Sequence, residues 1–172
     1  MNTEPNGATP TVAQDIARYQ DPEVIREILH TARTVAIVGL SSDVLRASHF
    51  VGFYAQRHGY RVIPVNPRES TVLGEVSYPS LLEVPVPVDV VDVFRRPDAV
   101  PEIARQAVQI GAKALWLQFG VISWEGAAIA EAGGLKVVMD RCFKVEHARH
   151  MGRMHWHGLN TGVVTSRRGV LS

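Results

Sequence analysis

The sequence predicts an α/β fold, Rossmann-like and doubly wound, with a mainly parallel five-stranded sheet and flanking helices. Three observations carry that reading. Apolar runs of strand length recur as TVAIVGL, RVIPV, DVVDVF, KALWLQ and KVVM. Segments of helical spacing lie between them, and strict alternation of the two implies right-handed βαβ units and a parallel sheet. The runs are also nearly continuous in apolar residues, as strands covered on both faces must be.

Taken in order, residues 1–20 read as a tail, with Pro5, Gly7 and Pro10 among small polar residues marking its start as disordered. Asp21-Pro22 reads as an N-cap and a first-turn proline. Val24, Ile25, Ile28 and Leu29 then form one stripe, which predicts a helix over 21–32 lying across the sheet. TVAIVGL (34–40) is the first strand, and 47–58 is a helix stopped by Gly59. RVIPVNP (61–67) is the second strand, closed by Asn66-Pro67. A helical turn around 79–83 leads into the third strand, 89–94. A helix over 98–110 ends at Gly111. The fourth strand follows at 113–120, a helix at 123–132, the fifth strand at 136–142 and a helix from about 144. One domain therefore spans 21–150, and 151–172 form a basic, histidine-rich arm.

Composition fits one globular domain. Of 172 residues, 46% are hydrophobic and 20% charged, enough for a core and for solubility. The net charge of +1 exerts no overall pull toward nucleic acid or membrane. Its distribution is uneven: residues 1–140 sum to −4, and residues 141–172 to +5. The single cysteine, Cys142, excludes an intramolecular disulfide and fits a reducing compartment. No signal peptide or membrane span is read, so a cytoplasmic location is expected.

Ligands of open parallel sheets bind beyond the carboxyl ends of the strands. Five such ends carry polar or cationic groups directly after apolar residues. In the first, Gly39 permits a sharp turn, and Ser41, Ser42, Arg46 and Ser48 lead into a helix. Free N–H groups, the positive helix end and a guanidinium together suit a pyrophosphate. The full G-x-G-x-x-G fingerprint is missing, and the second strand ends in Asn66-Pro67-Arg68 where an NAD site places an acid. Asn and Arg tolerate a phosphorylated ribose, so coenzyme A or NADP is favoured over NAD. Phe94-Arg95-Arg96 offers an apolar and cationic wall for adenine or phosphate.

AIVGLSSDVLRASHFV, GYRVIPVNPR, LGEVSYPSL, VDVVDVFRRPDAVPEI, GAKALWLQFG and VVMDRCFKVEH, in this order over residues 33–150, resemble the stand-alone CoA-binding domain proteins. These are similar to the CoA-binding domain of the succinyl-CoA synthetase α subunit. The resemblance implies a phosphate loop at Gly39, Leu40, Ser41 and Arg46. It implies an adenosine-side turn at Val65, Asn66 and Pro67, and a nucleotide-lining strand end at Val93, Phe94 and Arg95. It also implies a pantetheine path near Gln118 and Gly120. Many relatives have proline where this chain has Ala47. The synthetase's phosphorylated histidine lies in a second domain that this sequence lacks, so its activity does not transfer.

Cys142, beside Arg141, Lys144 and His147, is the one candidate nucleophile, because positive neighbours favour thiolate. His147, His150, His155 and His157 cluster without the paired spacing of a zinc site, and no metal is expected. The arm is expected to pack across the body or onto a second copy, as in a homodimer. The leading functional expectation is binding of coenzyme A or an acyl-CoA without catalytic activity of its own. An NADP-linked oxidoreductase, or a CoA-dependent transferase using Cys142, is the alternative. A nucleotide-sensing protein whose basic tail contacts another macromolecule is a third.

Overall fold

The computed structural model describes residues 16–152. Strands β1 (Thr34–Val38), β2 (Arg61–Val65), β5 (Val90–Val93), β6 (Ala114–Leu117) and β7 (Lys136–Val138) form one sheet in the order β2-β1-β5-β6-β7. Every neighbouring pair is parallel. Helices α1 (Pro22–Thr31), α2 (Ala47–Arg57), α3 (Val100–Gln109), α4 (Trp124–Ala132) and α5 (Phe143–Met151) cover it. The predicted α/β architecture is therefore the observed one.

Side-chain alternation along the strands divides the core into two layers. Ala36, Val38, Val91 and Val93 face α3 and α4 with Ile103, Ala104 and Ala127. Val35, Ile37, Val90 and Trp116 face the other layer, with Ile25 and Leu29 of α1, Val51 of α2 and Phe143 of α5. Asp21 caps α1 by accepting the Glu23 N–H at 2.8 Å. Ser123 caps α4 by accepting the Gly126 N–H at 3.1 Å. Asp89 holds the entry of β1, its Oδ2 accepting from the N–H groups of Arg33 and Thr34, while Lys113 pairs with Oδ1 at 2.9 Å.

Several boundaries differ from the sequence reading. The fifth strand stops at Val138 rather than Cys142. Met139 N–H donates to Tyr19 O instead of to a strand, and Asp140 turns into left-handed backbone at φ 56°. Cys142 is thus the N-cap of α5. The expected 98–110 helix divides into a 3-10 turn, Pro97–Ala99, and α3, because Pro101 has no N–H to give Pro97 O, which takes the Val100 N–H instead. A hairpin of β3 (Thr71–Val72) and β4 (Glu75–Val76) was not expected. The folded body also begins before residue 21: Tyr19 is buried, and Arg18 pairs with Glu131 at 2.7 Å. The tail over 1–15, and the arm over 153–172 with His155 and His157, lie outside the described residues.

Chain order reverses at β1, whose two neighbours are β2 and β5. That reversal opens a crevice beyond the carboxyl ends of these three strands. Among the described residues, no helix is long and apolar enough to cross a membrane.

Candidate functional site

The crevice is built on Gly39. Its φ is +90°, and a Cβ there would stand 2.4 Å from Phe94 O, so backbone shape and space both require glycine. Gly39 N–H donates to Val65 O at 2.8 Å, and Phe94 N–H to Val38 O at 2.8 Å. The ends of β1, β2 and β5 are therefore locked together at one point.

From there the loop is braced by its own side chains. Ser41 N–H donates to Ser48 Oγ at 3.2 Å, Asp43 N–H to Ser41 Oγ at 3.1 Å, and His49 Nδ1 lies 3.0 Å from Ser41 O. Arg46 is the N-cap of α2 but makes no capping bond, and no acid occupies the helix's first turn. The positive end of α2 is left uncompensated. The Arg46 guanidinium is 73% exposed and sits 3.6 Å from Asp43.

Asn66 links the second strand end to this loop. Its Nδ2 donates to Leu40 O at 3.0 Å, and its Oδ1 accepts the Arg68 N–H at 3.1 Å. Three residues beyond Asn66, Glu69 accepts from the Ser42 N–H at 3.0 Å and the Ser42 hydroxyl at 2.9 Å. Those bonds, the backbone one foremost, hold its carboxyl below the usual range.

The result is a cleft of about 420 Å³ lined by Gly39, Ser41, Ser48, Asn66 and Phe94. Three guanidinium groups, Arg46, Arg68 and Arg95, and one carboxylate, Glu69, complete its wall. Beside it lies a more apolar pocket of about 340 Å³, between Val65, Pro67, Pro79, Leu81 and Ile103. Arg95 lines both. Another cavity, about 370 Å³, opens at the opposite edge of the sheet near Ile28 and Val90. Its charges are already paired, Lys113 with Asp89 and Lys136 with Glu27, and it lies away from the edge where such sheets take ligands.

The structure thus gathers Gly39, Ser41, Arg46, Ser48, Asn66, Phe94 and Arg95 in one cleft, and Val65 and Pro67 in the adjoining pocket. Other expected residues are differently placed. Leu40 and Val93 are wholly buried, so only their backbone is at the site. Gln118 is 3% exposed and donates through Nε2 to Asp92 Oδ1 at 2.8 Å, which commits its side chain to the interior. Gly120 N–H is taken by Asp140 Oδ1 at 2.8 Å. Glu69 is the cleft residue that the sequence reading missed. Its only signal was an acid two positions beyond Asn66-Pro67.

Cys142 departs from its expected chemistry. Burial pushes its thiol up, more than the N–H of Val145, the N–H of Lys144 and the Lys144 ammonium draw it down. Asp92, fully buried on β5, is pushed up to about 8 by burial. His147 is buried, 2.9 Å from Tyr54 Oη, and pushed down to about 4 by burial and then by His58. His150 lies 3.4 Å from Glu146.

Comparison with known proteins places this arrangement. The chain is 40% identical over 124 residues to the uncharacterized protein YneT of Bacillus subtilis, covering 72% of this chain and 92% of that one. It is 29% identical over 115 residues to an ADP-forming acetate–CoA ligase of Archaeoglobus fulgidus, covering 66% of this chain but 17% of the ligase. A solved hypothetical protein from Pyrococcus horikoshii superposes with a TM-score of 0.75 at 36% identity, covering 88% of this chain and 99% of that one. The sequence model described as the CoA binding domain matches residues 33–148, from the entry of β1 through most of α5 and hence every residue of the crevice. By that match, the chain belongs to the CoA-binding domain family.

Proposed function

We propose that this protein binds coenzyme A, or an acyl-CoA, across the carboxyl edge of β1, β2 and β5. The observation that carries the reading is the position of Arg95, which separates a polar cleft rich in guanidinium groups from an apolar pocket. Coenzyme A has the same division: phosphates on one side, and an adenine ring on the other. In this reading the pyrophosphate lies on the Gly39–Arg46 loop at the positive end of α2. The adenine enters between Pro67, Leu81 and Ile103, with the Arg95 guanidinium against its face. Arg68 reads the ribose phosphate, and the pantetheine arm runs over the ends of β5 and β6. A cytosolic location accords with this ligand and with a lone free thiol.

Native mass spectrometry of protein purified without added ligand tests the class of molecule retained. Calorimetry with coenzyme A, 3′-dephospho-CoA, NADP and NAD then ranks them. Coenzyme A should bind most tightly and NAD poorly. Equal affinity for coenzyme A and its dephospho form would show that no cation reads the ribose phosphate. NADP binding above coenzyme A would favour an oxidoreductase.

A further inference from the structure

We propose that Cys142 is a thiol-exchange site that joins the sulfur end of a bound pantetheine chain to the protein as a mixed disulfide, with Asp92 taking up and returning the thiol proton. This rests on the nucleotide reading above and adds a covalent step to the same edge of the sheet.

Position comes first. Arg141 is tied over the end of β6 from both sides: its N–H donates to Leu117 O at 3.2 Å, and its carbonyl accepts the Trp116 Nε1–H at 2.8 Å. Cys142 follows directly as the half-buried N-cap of α5. β6 lies two places from β1 in the sheet, about 10 Å at the usual strand spacing. Pantetheine, with two amide bonds and about a dozen chain bonds ending in the thiol, is as long as four extended residues, about 14 Å, and spans that distance with slack. A ligand anchored by its phosphates on the Gly39 loop therefore brings its sulfur to the neighbourhood of Cys142.

The second observation is independent of the cysteine. Asp92 is 0% exposed; Gln118 satisfies Oδ1, and among the described residues Oδ2 has no partner. A buried oxygen left unpaired costs about 1–3 kcal/mol and calls for a reason. Asp92 lies opposite Trp116 on β6 and so faces the core layer that holds Phe143 and Cys142, from where its charge raises the Cys142 thiol. The Lys144 ammonium and the first N–H groups of α5 stabilise a thiolate there once it forms, whereas burial keeps the resting thiol protonated.

The step balances without an external oxidant. Above about pH 8, where Asp92 is ionised, the Cys142 proton passes to its carboxylate, and Sγ attacks one sulfur of the ligand in its disulfide form. The new Sγ–S bond forms as the old S–S bond breaks. The departing thiolate takes the proton back from Asp92. One disulfide is consumed and one is made.

The test uses the full chain with CoA disulfide and reads intact mass. One CoA should add to the wild type, dithiothreitol should remove it, and Cys142→Ser should show none. Because binding concentrates the reacting sulfur, the adduct should form at least about tenfold faster with CoA disulfide than with cystamine. No adduct, or equal rates with the two disulfides, overturns the proposal. Calorimetry with coenzyme A under dithiothreitol separates the two readings. Binding there without an adduct sinks the exchange site alone, and no binding sinks the nucleotide reading as well. Asp92→Asn keeps the side-chain size and the Gln118 bond. Exchange should slow several-fold in this variant even though its thiol titrates at lower pH. Faster exchange would mean that Asp92 acts on the thiol only by its charge.

Discussion

The Glu69 carboxylate accepts both the N–H and the hydroxyl of Ser42, at 3.0 and 2.9 Å, inside the wall of the Gly39 cleft. An anion built into the chain thus holds donors that a ligand phosphate would use. Glu69→Gln keeps the shape and removes the charge. Coenzyme A should then bind about two- to fivefold more tightly, the scale of one exposed like-charge pair, with the gain shrinking as salt rises. Weaker binding in calorimetry would assign Glu69 to ordering the loop for its ligand instead.

Arg46 offers the opposite test. Its guanidinium is mostly exposed and only loosely engaged with Asp43, so little of the fold depends on it. Arg46→Ala should weaken coenzyme A binding by about 1–2 kcal/mol, toward the lower end for a charge-assisted bond because the site is wet. Urea unfolding should be nearly unchanged. Unaltered affinity would remove the first loop from the phosphate site.

Much of this was legible in the sequence, for physical reasons that also mark where legibility stops. A strand covered on both faces must be apolar throughout, so β1, β5 and β6 announced themselves as VAIV, VVDV and ALWL. Gly39 was readable because only glycine serves a left-handed residue pressed against Phe94 O. The β3–β4 hairpin was not, since Leu73-Gly74 turns through positive φ at both residues, where Asn-Gly would be the usual signal. The interior bond of Gln118 and the place of Glu69 in the cleft were not legible, because the partner of a polar side chain is fixed by tertiary contact. Asp92 lies 26 positions from Gln118, and Ser42 lies 27 from Glu69. The direction of the Cys142 thiol's shift was misjudged for the same reason: its basic neighbours are visible in the chain, but its burial is not.

Gly39→Ala should injure the fold itself. The added Cβ meets a backbone oxygen at 2.4 Å, which cannot swing aside as a side chain would, and the left-handed φ adds strain. A loss of about 2–4 kcal/mol in urea unfolding is expected, in the range of steric insertion at a packed backbone. Coenzyme A affinity should fall with it. A variant of wild-type stability would mean that the three strand ends are not rigidly joined there.

Asp92 should make stability fall as pH rises, the reverse of the usual carboxylate. Its folded value of about 8 lies far above the ordinary value of 3.8, so between those limits the folded chain holds a proton that the unfolded chain has released. Folding is then penalised progressively across that window. His147 works in the other direction, since its folded value of about 4 lies below 6.5 and the unfolded chain binds the extra proton. Its contribution rises between those values and is complete above them, leaving Asp92 unopposed by His147 from about pH 6.5 upward. The raised Cys142 thiol adds a penalty of the same sign only at more alkaline pH, so the comparison belongs below about pH 8. Between these two pH values the wild type should lose on the order of 2 kcal/mol in urea unfolding. Asp92→Asn, which keeps the Gln118 bond and cannot ionise, should lose little. Parallel slopes for the two proteins would show that Asp92 is ionised in the folded state, and that water or another donor reaches its Oδ2.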